Sequence, residues 1–387
     1  MKRSHINFDI EMLRGIAIIM VLFQHYPSLY FWSDHKTFNW LSQYLAFWSG
    51  VDLFFCISGF VVGKTVIKRL DDSLTGNGSI KIVIFEFFVK RAFRLLPTSI
   101  LWVMLLIVLS KLFNISGAFG IYEENIKQAI SILTYNYNWY VKSVNEAGIP
   151  ATFAPYWSLN LEEQFYFALP LFLFLFRNKF RIPALLMIIA ILFFIKRQGH
   201  LSFNFRIDAI SYGVILSIIS SRPAYHKVKN FLMSQAYSPV SSLIILITLL
   251  IFIPGVMRQS NFMVGTLAFV SCIIVYLASF NQKLVTLPQK IRKIFIYIGT
   301  RSYGLYLIHM PAIYITQETF ARYFAFKGVM PHGGALICIV ITFVSLVVTA
   351  ALVELNFIFV EAPTRNFGSK LAKLINSKPQ LSETKAT

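Results

Sequence analysis

Apolar residues along this chain come in blocks close to the length that crosses a bilayer, separated by short polar or basic stretches. The blocks fall at roughly 10–30, 45–66, 93–112, 157–176, 182–196, 203–220, 239–255, 262–280, 294–316 and 334–360. A spanning helix needs about 20 mostly apolar residues. The pattern therefore predicts an all-α, polytopic integral membrane protein of about ten transmembrane helices, that at 182–196 being short. The first block carries Arg14 and His25 and lacks a small-residue exit, so it is expected to remain as an anchor and not to be cleaved as a signal. At about 100° per residue, the eleven residues from Arg14 to His25 make three turns and about 20° more. Both side chains thus leave one face, about 16 Å apart along the axis. A cation and an imidazole at two depths of a bilayer are costly unless they line a polar cavity. The competing reading is an anchoring arginine and an interfacial histidine.

Composition agrees with the pattern: 56% of the 387 residues are hydrophobic, 14% are charged, and 38 are phenylalanine, more than a soluble core of this size requires. The net charge of +19 raises a nucleic-acid partner, but its distribution argues for topology and against that partner. With the N-terminus in the cytoplasm, most of the 36 lysines and arginines fall in cytoplasmic segments. Lys64, Lys68, Arg69, Lys81, Lys90, Arg91 and Arg94 cluster between the second and third blocks, and Lys283, Lys290, Arg292 and Lys293 precede the ninth. This is the positive-inside bias, and an even number of spans puts both termini in the cytoplasm. Lys196-Arg197, on the outer side, runs against it.

Cys56, Cys272 and Cys338 lie inside spans without motif spacing, so neither a metal site nor a disulfide framework is indicated. Residues 1–363 read as one transmembrane domain, and 364–387 as a polar cytoplasmic tail expected to be disordered. The external stretch Tyr135-Asn-Tyr-Asn-Trp-Tyr140 suits either stacking on sugar rings or an interfacial aromatic belt, and the belt is favoured.

This topology sorts the polar residues into two clusters. Arg14, Arg91 and Arg94 come to the cytoplasmic side; His25, Asp52, Glu162 and His309 come to the outer half. Guanidinium groups match phosphate geometry and stay charged, so the first cluster suits a phosphorylated ligand, although flanking basic residues also serve as anchors. A histidine near a carboxylate suits general-base chemistry, with packing as the alternative for His25 and for His309. For Glu162, one turn after Ser158, helix capping competes. Arg206 and Asp208 are close enough in sequence to pair with each other.

At these residues the chain resembles the acyltransferase-3 family of membrane-bound enzymes that modify bacterial surface glycans. The resemblance is carried by Arg14 to His25, Gly50-Val-Asp-Leu-Phe-Phe-Cys-Ile-Ser-Gly-Phe60, Arg91-x-x-Arg94, Trp157-Ser-Leu-Asn-Leu-Glu-Glu-Gln-Phe-Tyr166, Ser302-Tyr-Gly-Leu-Tyr-Leu-Ile-His309 and Val360-Glu-Ala-Pro-Thr-Arg365. These motifs run in the family's order over nearly the whole chain. The resemblance implies an O-acetyltransferase in the inner membrane of a bacterium, of the stand-alone type without an SGNH hydrolase-like domain. Acetyl-CoA would be the cytoplasmic donor, with its phosphates on Arg14, Arg91 and Arg94. A hydroxyl of a surface or lipid-linked glycan, such as O-antigen or exopolysaccharide, would be the acceptor outside. His25 would be the general base or acyl relay, with Glu162 (in preference to Glu163) or Asp52 orienting it. Trp157, Ser158, Arg206, Asp208 and His309 would line the path. No metal is implied. A transporter or flippase of an anionic or glycan substrate is the competing class, against which stands the lack of an internal repeat.

Overall fold

The computed structural model describes residues 7–30, 32–33, 36–76, 78–176, 178–195, 197, 206–234, 239–281, 288–329 and 334–377. Among them all regular structure is helical. In chain order the helices are α1 (Phe8–His25), α2 (Lys36–Leu41), α3 (Gly50–Leu74), α4 (Ile80–Leu112), α5 (Tyr122–Leu133), α6 (Tyr137–Glu146), α7 (Tyr156–Leu175) and α8 (Asn178–Phe194). They continue with α9 (Asp208–Ile219), α10 (Pro223–Ser234), α11 (Pro239–Val256), α12 (Met263–Ser279), α13 (Gln289–Thr300), α14 (Ser302–Lys327), α15 (Ala335–Asn356) and α16 (Ala362–Ser377).

Among the described residues three helical stretches are long and apolar enough to cross a membrane: Phe47–Leu74, Ile80–Leu112 and Ala335–Ile375. Asp208–Ile219, Ser241–Val256 and Met263–Ser279 are shorter apolar helices. The apolar, all-helical part of the expectation of about ten spans is met, with these three long helices and the shorter apolar ones beside them. α1 is loaded with Asp9, Glu11 and Arg14 in its first two turns. At about 1.5 Å per residue, the 12 residues of α9 extend about 18 Å, short of a hydrocarbon core of about 30 Å. The block expected at 294–316 is broken at Arg301 into α13 and α14, and α14 runs on to Lys327.

Close packing of small residues sets the centre of the bundle. Gly59 and Gly63 of α3, four apart, face Gly213 and Ser217 of α9, also four apart. A Cβ on Gly59 would collide with the Ile210 carbonyl, and one on Gly213 with the Cys56 carbonyl. In a membrane, where lipid tails are as apolar as leucine, such small-residue stripes let backbones approach and gain dispersion contact. α1 and α13 cross in the same way, with Gly15 against the Phe295 carbonyl and Gly299 against that of Glu11. The largest apolar core gathers around α1, α3, α9 and α12. A second core lies among α4, α5, α6, α14 and α15, and a third where α3 and α4 meet α7, α8 and α9.

α7 is clamped at both ends by polar groups. Near its start, Asn160 accepts from the Tyr137 amide at 2.9 Å and donates to the Ile132 carbonyl at 3.2 Å, while Gln164 donates to Asn138 at 2.9 Å and to the Tyr135 carbonyl at 2.6 Å. The stretch 135–140 is therefore a brace for α7 through Asn138, the Tyr135 carbonyl and the Tyr137 amide, and Tyr137 is fully buried. At the far end, buried Arg181 donates to the carbonyls of Leu173 and Phe176, which the helix terminus leaves without partners, and to Asp71.

The tail reading is corrected as far as residue 377. Ala362–Ser377 is helical, reached from α15 through the wider π-helical turn Phe357–Glu361. It packs on α4, with the Phe367 and Phe93 rings 5.2 Å apart and Ala372 fully buried. Its polar composition hid an amphipathic pattern. Residues 378–387 of that expected tail lie outside the described residues.

Candidate functional site

Two cavities open at different levels of α1. The first is lined by Arg14 of α1, Val51, Phe54 and Ser58 of α3, Arg91 and Arg94 of α4, Ser158, Glu162 and Glu163 of α7, and Tyr303 and Tyr306 of α14, and has a cavity volume of about 80 Å³. Arg14 donates to Glu11 at 2.8 Å, one turn back on its own helix. Arg91 lies over the Tyr166 ring, 4.7 Å from its centroid, and donates to the Tyr166 hydroxyl at 3.3 Å. Among the described residues neither Arg91 nor Arg94 forms an ion pair, and the buried Arg94 Nε has no hydrogen-bond partner. Glu162 and Glu163 line the same cavity without reaching ion-pair distance of Arg91 or Arg94, so the guanidinium donors stay open to an anionic ligand. The three arginines expected together are together.

Glu162 belongs to this cavity and not to the histidine end. Ser58 and Tyr166 both donate to its Oε1, and the Ser58 and Tyr166 hydroxyl oxygens lie 2.5 Å apart. The Ser158–Glu162 capping reading also fails. Ser158 donates to the Pro155 carbonyl at 3.1 Å and meets the Tyr306 hydroxyl at 2.7 Å, leaving Glu162 to Ser58 and Tyr166.

The second cavity, with a volume of about 660 Å³, is lined by His25 and Gln24 of α1, Trp48 and Val51, Asn145 of α6, Trp157 of α7, Arg197, Arg206, Arg258 and Tyr306. Its chemistry centres on two imidazoles. His309 is fully buried, and its Nε2 lies 3.1 Å from His25 Nδ1. His309 Nδ1 faces the Leu305 carbonyl at 3.0 Å, and His25 Nδ1 faces that of Val21 at 3.1 Å. A carbonyl oxygen only accepts, so each Nδ1 carries the proton when the ring is neutral. His309 Nε2 is then an acceptor for His25 Nδ1–H. His25 Nε2 keeps an unshared pair, on a ring that lines the cavity.

The resemblance assigned Glu162 or Asp52 to orient the His25 imidazole, and the geometry corrects both. Asp52 is fully buried with both oxygens on Arg206, at 2.7 Å to Nε and through a second, shorter contact to Nη2. Arg206 and Asp208 do not pair with each other either: Asp208 accepts from Arg197 at 2.8 Å. Arg206 Cζ lies over Trp48, 4.5 Å from its centroid, and 6.0 Å from that of Trp157. Two neutralised ion pairs and two indoles therefore form one wall of the histidine cavity.

Sequence reasoning missed Ser58, Tyr166, Tyr306 and Trp48. Three of them sit inside motifs already singled out, at Gly50–Phe60, Trp157–Tyr166 and Ser302–His309. A hydroxyl in an apolar motif gave the signal, and the i, i+4 spacing of Glu162 and Tyr166 was visible, but the contacts of Ser58 and of Tyr306 with other helices did not show in the spacing.

The family model for an acyltransferase domain matches residues 7–352 of this chain. The O-acetyltransferase OatA of Staphylococcus aureus (strain MRSA252) is 26% identical over 396 aligned positions, covering 96% of this chain and 59% of that protein. The peptidoglycan O-acetyltransferase OatA of Listeria monocytogenes is 24% identical over 387 positions, covering 93% of this chain and 56% of its own length. The putative peptidoglycan O-acetyltransferase YrhL of Bacillus subtilis is 24% identical over 384 positions, covering 92% of this chain and 54% of its own. The chain thus spans little more than half the length of these relatives. No solved structure matches it.

Proposed function

We propose that this chain, which belongs to the acyltransferase family matched over residues 7–352, moves an acetyl group from acetyl-CoA in the arginine cavity to a glycan hydroxyl in the histidine cavity. The observation that carries the reading is the pair of sites on α1. Arg14 stands in a cavity with two further arginines lacking ion-pair partners, and His25 presents a free Nε2 in the other. The donor side is read as cytoplasmic and the acceptor side as the outer face of a bacterial inner membrane. All three relatives carry O-acetyltransferase in their names, and two carry peptidoglycan. The acceptor is therefore a cell-envelope glycan.

The roles follow from the donors and acceptors present. Arg14, Arg91 and Arg94 hold the phosphates of the donor. Glu162, fixed by Ser58 and Tyr166, positions Arg91 through the shared Tyr166 hydroxyl. His25 Nε2 takes the proton of the acceptor hydroxyl as its oxygen bonds the acetyl carbon. The carbon–sulfur bond breaks, and the coenzyme thiolate recovers that proton, so the ring returns to its neutral form. During the step the imidazolium is stabilised by its Nδ1–H bond to His309. Trp48 and Trp157 offer faces on which a sugar ring stacks.

Membranes carrying the protein, supplied with labelled acetyl-CoA and acceptor glycan, test this. His25→Ala is expected to accumulate normally and to transfer no label; normal transfer by that variant would remove His25 from the mechanism. Losing one charge-assisted phosphate contact costs about 1.5–3 kcal/mol, or about 10- to 150-fold in affinity. Arg91→Ala is therefore expected to weaken acetyl-CoA binding by that factor, with Arg91→Lys recovering only part because the planar fork is lost. Unchanged coenzyme binding in Arg91→Ala would return this arginine to a structural role.

A further inference from the structure

The two cavities share a wall. Val51 of α3 and Tyr306 of α14 line both, whereas Arg14, Arg91 and Glu162 line the first alone and His25 and Arg206 the second alone. On α7, Trp157 faces the histidine cavity and its neighbour Ser158 the arginine cavity. Tyr306 is 6% exposed, so its ring fills the partition. With the Ser158 hydroxyl proton on the Pro155 carbonyl, the Tyr306 hydroxyl donates to Ser158 Oγ across 2.7 Å. The ring meets Phe54 edge-on at 6.0 Å and lies 6.1 Å from the His309 ring. Its hydroxyl hydrogen bond to Ser158 and its packing in the apolar core hold the ring between the donor site and the base.

We propose that Tyr306, latched by Ser158, is a gate between the two cavities. It turns aside for an acyl group to reach His25, and when closed it keeps water of the histidine cavity off the donor thioester. What passes the gate rests on the acetyl-transfer reading above; the partition does not. An open gate exposes the thioester to hydrolysis: a water oxygen bonds the acetyl carbon, the carbon–sulfur bond breaks, and the water proton goes to the thiolate, giving acetate and free coenzyme.

The test places a cysteine at Val61, which lines the arginine cavity, in a full-length chain with Cys56, Cys272 and Cys338 replaced. Sealed vesicles receive a membrane-impermeant maleimide on the histidine-cavity side alone. Val61→Cys is expected to be spared while Tyr306 is present and to be labelled when Tyr306→Ala is added. Tyr306→Phe loses only the latch and is expected to raise labelling about 2- to 10-fold, the shift given by one neutral hydrogen bond. Ser158→Ala removes the same bond from the other side and must match Tyr306→Phe, which keeps the test decisive if Tyr306→Ala does not accumulate. Rapid labelling with Tyr306 intact, or no change in either latch variant, overturns the gate. In parallel, Tyr306→Ala is expected to consume acetyl-CoA without acceptor. Increased labelling with no such hydrolysis would uphold the gate and overturn acetyl-CoA as the donor.

Discussion

His25 and His309 meet across 284 positions of sequence, each with its Nδ1 fixed by a carbonyl of its own helix. Under the proposed reaction that arrangement makes His309 a positioning residue whose effect would run through His25. A hydrogen bond to a charged group contributes about 1.5–3 kcal/mol. His309→Ala is therefore expected to lower kcat by about 10- to 150-fold while leaving acetyl-CoA binding unchanged. Gln places an acceptor near the former Nε2, so His309→Gln is expected to recover part of the rate. Equal loss in both variants, measured as initial transfer rate at matched membrane content, would mean that His309 only packs. Helical arithmetic was enough to put Arg14 and His25 on one face, because it needs one helix and nothing else. It was not enough for Glu162 and Asp52. Tyr166 is one turn on from Glu162 in α7, but Ser58 comes from α3 and Arg206 from the segment before α9, and the resemblance that assigned both acids to the His25 ring did not show those long-range contacts.

Between elements, the α3–α9 crossing fixes the site, since α3 carries Val51, Asp52 and Ser58 and α9 follows directly on Arg206. A Cβ at Gly213 would meet backbone atoms of Cys56, Gly59 and Phe60, none of which can swing away as a side chain would. Overpacking of this kind costs about 1–3 kcal/mol. Gly213→Ala is expected to lower the thermal stability of the detergent-solubilised protein, and Gly59→Ala to do the same; an unchanged unfolding temperature in both would show that the helices have room to part. The stripes Gly59-x-x-x-Gly63 and Gly213-x-x-x-Ser217 stand openly in the sequence. Their pairing does not, because many small residues in membrane helices face lipid or neighbours indifferently. The break at Arg301 was only partly legible for a related reason. The polar stretch Gly299–Gly304 marks the break within an otherwise apolar block, but the packing of α13 on α1 at Gly299 does not show in the sequence.

Across the whole molecule, the proposed reaction needs its two cavities to open to opposite faces of a membrane, and α4 supplies the ruler. From Arg94 to Ile115, just beyond the helix end, is 21 residues, or about 32 Å at 1.5 Å per residue, close to the thickness of a hydrocarbon core. α16 lies beside the Arg94 end, through Phe367 on Phe93 and Gly368 against the same ring. If α4 crosses the membrane, residues on α16 and at position 115 must be on opposite sides, and the positive-inside bias puts α16 in the cytoplasm. Ile115 is 73% exposed and Lys373 is exposed, so both suit a cysteine probe. With Cys56, Cys272 and Cys338 replaced, an impermeant thiol reagent added outside intact cells is expected to label Ile115→Cys and spare Lys373→Cys. Permeabilised cells should show both. Labelling of both from outside would place the arginine cavity and the histidine cavity on a common aqueous side. A phosphorylated cytoplasmic donor could then no longer reach Arg14 and Arg91, and transfer across the bilayer would have to give way to chemistry on one face.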